Sequence, residues 1–239
     1  MQNEQPCIAV NDLQLLTDDG TVWSNISFSL DPGHPALLTG LTPVARTILL
    51  RMIAGLSAFH TGSISLWNKP ITMIDRHWLS AHVRFITSRD QPGFSFSVQE
   101  FISKGCEFGL RPFRTPGKEE HATAETLMKA LDMVHLARRD CSQLGKSDLL
   151  RALVAQAIMC QPALLLIDDP IDDISESVRE PLLRYLTRQA AAGRTIVMTS
   201  HKADQAFITP DFQLIQLDDT VEMDIRGTTK HKADGGFIF

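Results

Sequence analysis

No stretch of the sequence is apolar for long enough to cross a bilayer as a helix. A basic excess is missing as well: 23 Lys and Arg stand against 28 Asp and Glu, a net charge of −5. Binding to nucleic acid calls for a positive face, so a nucleic-acid partner is not expected. Cysteine is scarce. Cys7, Cys106, Cys141 and Cys160 are the four; no two are spaced as C-x-x-C and no histidine pair accompanies them. They read as reduced, mostly buried thiols rather than as a zinc site or a disulfide framework. There is no internal repeat. Met1 to Pro6 is mostly polar and has no secretory apolar core. These absences predict a cytosolic protein whose link to any membrane runs through a partner. What remains is ordinary for a globular chain, 44% apolar and 21% charged. Over 239 residues that suffices for one large α/β domain, or a domain with a helical insert.

Ile26, Phe28 and Leu30 alternate with Ser27 and Ser29 as in a half-buried strand, and Asp31-Pro32-Gly33 reads as a turn. Pro35 to Thr39 reads as a short apolar strand ending at Gly40. Leu41 to Ala45, with Pro43 inside, reads as a loop. Ile48, Leu49, Met52, Ile53 and Leu56 then recur at helical spacing. Further strands are expected at Ile64–Leu66, after Gly62, and at Val83–Thr87. Between about 89 and 148 the character changes to turns and amphipathic helices, the clearest at Glu119–Leu131, so this stretch reads as a helical insert. Leu149–Met159 is helical and Pro162 stops it. Ala163–Ile167 is an uninterrupted apolar run ending in Asp168-Asp169, which suits a central strand buried on both faces. Ser177–Ala191 reads as a helix stopped by Gly193. Thr195–Thr199 reads as a second buried strand with His201 just beyond it, and Phe212–Leu217 as a late strand. The tail, 226–239, is Gly-, Lys- and Thr-rich and is expected to be poorly ordered.

Strands alternating with helices predict a mostly parallel sheet flanked by helices. Ligands of such sheets sit beyond the C-terminal strand ends. Three polar clusters fall there: Gly40–Thr47, Asp168-Asp169 and His201.

In order and spacing, these segments resemble the nucleotide-binding domains of ATP-binding-cassette (ABC) transporters over about Ile8 to Val221. The block Ser63-Ile64-Ser65-Leu66-Trp67-Asn68 after Ile53-Ala54-Gly55-Leu56 is similar to the family's stretch after its phosphate-loop helix. Phe96-Ser97-Val98-Gln99-Glu100-Phe101 resembles the members importing iron chelates, haem, cobalamin or divalent metals. The resemblance implies a P-loop NTPase fold over about 1–225, with an N-terminal antiparallel β part and the insert. It also implies a nucleotide-binding subunit on the inner face of the cell membrane. Such subunits join transmembrane permease subunits as a homodimer or a heterodimer with another ABC subunit.

Gly40-Leu41-Thr42-Pro43-Val44-Ala45-Arg46-Thr47 aligns with the family's G-x-x-x-x-G-K-[ST]. There, backbone N–H groups cradle phosphate, Lys reaches the β/γ-phosphates and the hydroxyl binds Mg2+. Gly40, Ala45, Arg46 and Thr47 are thereby implied as ATP contacts, and Thr47 with Asp168 as the Mg2+ pair. Gly40 and Thr47 match. Ala45 replaces a glycine, Arg46 replaces the lysine with a larger planar fork, and Pro43 removes an N–H. Asp169 falls where the family has the Glu that positions or deprotonates the attacking water. It is shorter by about 1.5 Å, and a misplacement of about 1 Å costs on the order of 100-fold in rate. His201 aligns with the histidine that senses the γ-phosphate. Leu144-Gly145-Lys146-Ser147-Asp148 aligns with the L-S-G-G-[EQ] signature but has Lys146 and Ser147 where the glycines belong. Ser88 takes the place of the family's Gln, with Gln91 out of register. Asp172-Asp173-Ile174-Ser175 replaces S-A-L-D. Thr17 stands near the place of the adenine-stacking aromatic residue, so that platform is expected to be absent, with Trp23 a weak substitute.

Plainer alternatives stand beside these. Arg46 and Thr47 can be an ordinary helix start, Asp168 a strand-end carboxylate capping the next turn, Asp169 silent, His201 a core histidine, and Lys146 a solvated loop residue. Three functions follow: an importer subunit that binds ATP and hydrolyses it slowly; a non-catalytic pseudo-ATPase that docks or regulates an intact partner; or a soluble P-loop enzyme for another phosphate compound. The signature-like helix and the insert speak against the third.

Overall fold

The structure is a computed structural model that describes residues 6–16, 21–87, 90, 95–105, 115–168, 174–200, 212–217 and 222–224. The chain opens on β1 (Ile8–Leu16) and β2 (Thr21–Leu30), an antiparallel pair with Ile8 opposite Leu30. Along β2, Ile26 and Leu30 are buried while Ser27 and Ser29 are exposed, the alternation expected of a strand with one face on the core. Next come β3 (Pro35–Thr39), α1 (Pro43–Ile53), β4 (Ser63–Leu66), β5 (Lys69–Pro70), α2 (Arg76–His82) and β6 (Val83–Thr87). The insert contributes α3 (Val98–Lys104) and α4 (Lys118–Ala130), and α5 (Lys146–Met159) leads back to the sheet. The remainder is β7 (Leu164–Asp168), α6 (Glu176–Ala191), β8 (Thr195–Thr199), β9 (Gln213–Gln216) and β10 (Glu222–Asp224).

These strands form two sheets. One has the order β10-β2-β1-β4-β5 and is antiparallel throughout. The other has the order β6-β7-β8-β3-β9, and every pair in it is parallel. The expected α/β class with an antiparallel N-terminal part is what the chain adopts. β3, β7 and β8 are buried at every position, because a parallel strand covered on both faces has no side for water. Their side chains divide by parity. Leu37, Leu165, Ile167, Ile196 and Met198 face a core shared with α3, α4, α5 and α6. Ala36, Leu38, Leu164, Leu166 and Val197 face a second core shared with α1 and the antiparallel sheet.

Two expectations need correction. Leu41–Ala45 is not wholly loop, since α1 begins at Pro43. A proline is well suited to the first helical turn, where its missing N–H has no intrahelical partner to lose and its φ is already helical. The cysteines are not all reduced: Cys7 and Cys141 are free and buried, whereas Cys160 is disulfide-bonded. Four elements were not read at all: β1, β5, α2 and β10. The tail at 226–239 lies outside the described residues.

Candidate functional site

The order of the parallel sheet decides what can meet. β8 pairs with β3 on one side and with β7 on the other, with Leu38 opposite Thr199 and Ile167 opposite Met198. The C-terminal ends of all three strands are therefore level, and whatever follows β3 can reach the end of β7. Gly40 makes the exit from β3. Its φ is +101°, and a Cβ there would stand 2.0 Å from the Leu217 carbonyl oxygen, so only glycine fits. Leu217 is held at that spot by donating its N–H to Thr39 O at 2.9 Å.

Thr42 then caps α1 in extended conformation, φ −60° and ψ 156°. Its Oγ1 accepts the N–H of Ala45 at 3.3 Å and its carbonyl accepts the N–H of Arg46 at 3.0 Å. One turn into the helix, the Thr47 hydroxyl donates to Asp168 Oδ2 at 2.5 Å and lies 3.1 Å from Pro43 O. The other Asp168 oxygen accepts from the Thr199 hydroxyl at 2.9 Å. Asp168 is 6% exposed and Thr199 fully buried, so this carboxylate is held by two neutral donors in a dry strand end. Thr42, Leu41 and Thr199 were not singled out in the sequence. For Thr42 a signal existed, a threonine before a proline at a helix start. Thr199 acquires its role only through the β7–β8 register.

Of the implied site residues, Gly40, Ala45, Arg46, Thr47 and Asp168 do come together at one edge of the sheet. Asp169 and His201 lie outside the described residues, as do Thr17, Ser88, Gln91, Asp172 and Asp173. Trp23 is not available for adenine stacking: it is 5% exposed, buried in the core of the antiparallel sheet.

The fit to magnesium and to phosphate differs. Thr47 Oγ1 and the Asp168 carboxylate are hard oxygen donors side by side, which suits Mg2+. Among the described residues no cluster of three His, Cys, Asp or Glu side chains is placed to hold a metal; Mg2+ commonly completes a hydroxyl–carboxylate pair with waters and phosphate oxygens. The phosphate side does not fit. Ala45 and Arg46 are buried, at 0% and 1% exposure. Arg46 turns inward, its Nη1 donating to Leu41 O at 2.5 Å. A residue that should reach toward a ligand is spent on its own loop.

The signature-like segment is also rebuilt. α5 starts at Lys146, with Gly145 as an extended N-cap; Lys146 is thus the first helical residue, exposed, rather than a loop residue. Asp148 pairs with Arg151. Arg151 is 4% exposed and donates Nη1 to the Leu131 and Asp132 carbonyls, each at 3.0 Å. A cation at the carbonyl end of α4 is favourable and ties that end to α5. A cavity of about 410 Å³ opens beside them, lined by His135, Lys146, Ser147 and Ser175 among others.

The sequence profile described as ABC transporter matches residues 23–172. The spermidine/putrescine import ATP-binding proteins PotA of Shigella dysenteriae serotype 1 (strain Sd197) and of Escherichia coli (strain K12) are 27% and 26% identical to this chain over 223 residues. That alignment covers 92% of this chain and 57% of each relative, so the chain spans little more than half the length of the curated relatives it matches. Among solved structures, cbiO1 from Clostridium perfringens, part of the ABC transporter complex cbiONQ, superposes with a TM-score of 0.71. It is 19% identical over 92% of this chain and 88% of that one. The ADP conformation of an ATP-binding cassette of an ABC transporter gives 0.73 at 17% identity, covering 92% and 90%. At such identities the likeness is one of fold. Among the described residues, no helix is long and apolar enough to cross a membrane.

Proposed function

This chain belongs to the ABC transporter family, and from that premise we propose that it is the nucleotide-binding-type subunit of an importer, with ATP hydrolysis weakened or lost. It sits on transmembrane permease subunits at the inner face of the cell membrane, as a homodimer or with another ABC subunit. The observation that carries this is the meeting of Thr47 and Asp168, 121 positions apart in sequence and 2.5 Å apart in space. The two residues that the family resemblance implies as a magnesium pair thus lie side by side, which supports the family role. Weakened hydrolysis is supported by Ala45 and Arg46 in the phosphate loop, by Lys146 and Ser147 in the signature position, and by Asp169. The last carries its carboxylate about 1.5 Å short of a glutamate's reach.

For the solute, we follow the likeness of 96–101 to metal-chelate importers and propose a metal chelate or a similar small solute. The curated relatives are named for spermidine and putrescine, and uptake of labelled polyamine against labelled chelate separates the two. The test of the central claim is phosphate release by the purified chain with its co-expressed permease. Release should stay near the no-enzyme rate. In an Ala45→Gly/Arg46→Lys background, Asp169→Glu should raise it by on the order of 100-fold. Vigorous release by the unaltered chain would sink the claim.

A further inference from the structure

The phosphate loop departs from a nucleotide cradle in kind as well as in degree. A helix N-terminus holds an anion through N–H groups that have no intrahelical partner. At this helix start Pro43 has no N–H and Ala45 gives its own to Thr42 Oγ1, while the Arg46 N–H makes the first intrahelical bond, to the Thr42 carbonyl. Val44 presents an apolar side chain to solvent at the same turn, 53% exposed. In the opposite direction, Leu41 offers a carbonyl oxygen to Arg46 Nη1 at 2.5 Å, and Arg46 ranks among the largest fully buried side chains of the protein. The loop thus turns the Leu41 carbonyl toward a cation and keeps fewer N–H donors for a phosphate than a full cradle has.

We propose that Gly40–Thr47 has become a closed guanidinium socket, with Arg46 as its permanent internal occupant, so that the chain folds and docks without nucleotide. This rests on the family reading above and deepens it. A phosphate entering the loop would have to break the Thr42 cap and draw Arg46 away from the Leu41 carbonyl, leaving that oxygen buried and unsatisfied. Among the described residues magnesium has no separate hold: its protein ligands there are one hydroxyl and one carboxylate, and a pair so small depends on phosphate oxygens to complete the octahedron. The Asp168 oxygens are meanwhile occupied by Thr47 and Thr199. Thr47 and Asp168 then act as a structural clasp between α1 and β7.

The experiment is thermal unfolding of the full chain across a millimolar series of Mg-ATP. Any ligand that binds the native state alone must raise the melting temperature. The expected result is no shift; a saturable rise overturns the proposal. Ala45→Gly/Arg46→Lys, reopened, should acquire a saturable rise and bind a fluorescent ATP analogue at least about tenfold more tightly than the unaltered chain. A folded double variant that gains neither is evidence against these two residues as the closure. Should that variant not fold, Arg46→Met serves: the socket predicts a lower melting temperature without nucleotide, and an unchanged one refutes it. Capture by the co-expressed permease separates this inference from the reading beneath it. Capture only when Mg-ATP is present refutes the inference and leaves the family role intact. No capture under either condition refutes the importer role, while the thermal result still decides the loop.

Discussion

Gly40 shows how a motif residue can keep its identity under a different constraint. It matches the first position of a phosphate loop, yet what forbids a side chain there is the Leu217 carbonyl, 2.0 Å from where a Cβ would sit, together with a φ of +101°. Gly40→Ala should therefore destabilise the fold by about 2 kcal/mol or more, read as a lower urea midpoint, whether or not nucleotide is present. At this scale the sequence was legible in position: Gly40 follows β3, and Thr47 and Asp168 lie side by side. It was not legible for Thr199 or for the Leu41 carbonyl, whose roles depend on which strand lies next to which. Arg46 was legible in charge and not in direction. A guanidinium has enough reach to fold back onto its own loop, and only the packing around it decides that it does.

Among elements, the long apolar strands were readable because burial on both faces leaves no polar position to confuse the pattern. β1 was missed because its period is broken: Asp12 has φ +47° and the pairing with β2 shifts register on either side of Leu13. α2 was missed because it has seven residues and buries only Leu79. The helix starts at Pro43 and Lys146 each lie three residues before the expected ones, because there the cap rather than the apolar period sets the boundary. α3 has the strongest such cap. Ser97 Oγ accepts the Glu100 N–H at 3.3 Å, and the Glu100 carboxylate accepts the Ser97 N–H at 3.0 Å and the Ser97 hydroxyl at 2.7 Å. The Ser97 hydroxyl, and then the Ser97 backbone N–H, hold the Glu100 carboxyl below its ordinary range. A carboxylate with a lowered folded pKa stabilises above its unfolded value and ceases to do so as pH falls through the folded one. Glu100→Ala should thus cost about 1 kcal/mol at neutral pH, and the difference from the unaltered chain should close in acid. Urea titrations of both proteins across the acid range provide the check.

The whole molecule is two cores back to back on one parallel sheet, and its alkaline limit follows from what those cores enclose. Burial, with the nearby charges of Asp140 and Glu100, pushes the Cys141 thiol up to about 12. Burial pushes the Tyr185 phenol up to about 12 as well, against the favourable charge of Arg194. Both groups keep their protons in the folded state at a pH where the unfolded chain has released them. Their contribution is complete below the ordinary thiol value of 9.0 and is lost as pH rises toward 12. Stability should hold to about pH 8 and fall steadily by about pH 11, seen as a shrinking urea midpoint. Cys141→Ala with Tyr185→Phe should flatten that decline.

Strand order has a consequence for biogenesis. β8 separates β3 from β7 in the sheet but follows both along the chain. A nascent polypeptide that has emerged only as far as Asp168 has made the two flanking strands with a gap between them, their apolar edges unsealed. The rim that brings Thr47 to Asp168 closes only when Thr195–Thr199 slides in. Pairing this non-local is slow and leaves sticky intermediates, so the interval before residue 200 is synthesised is when this protein most needs a chaperone.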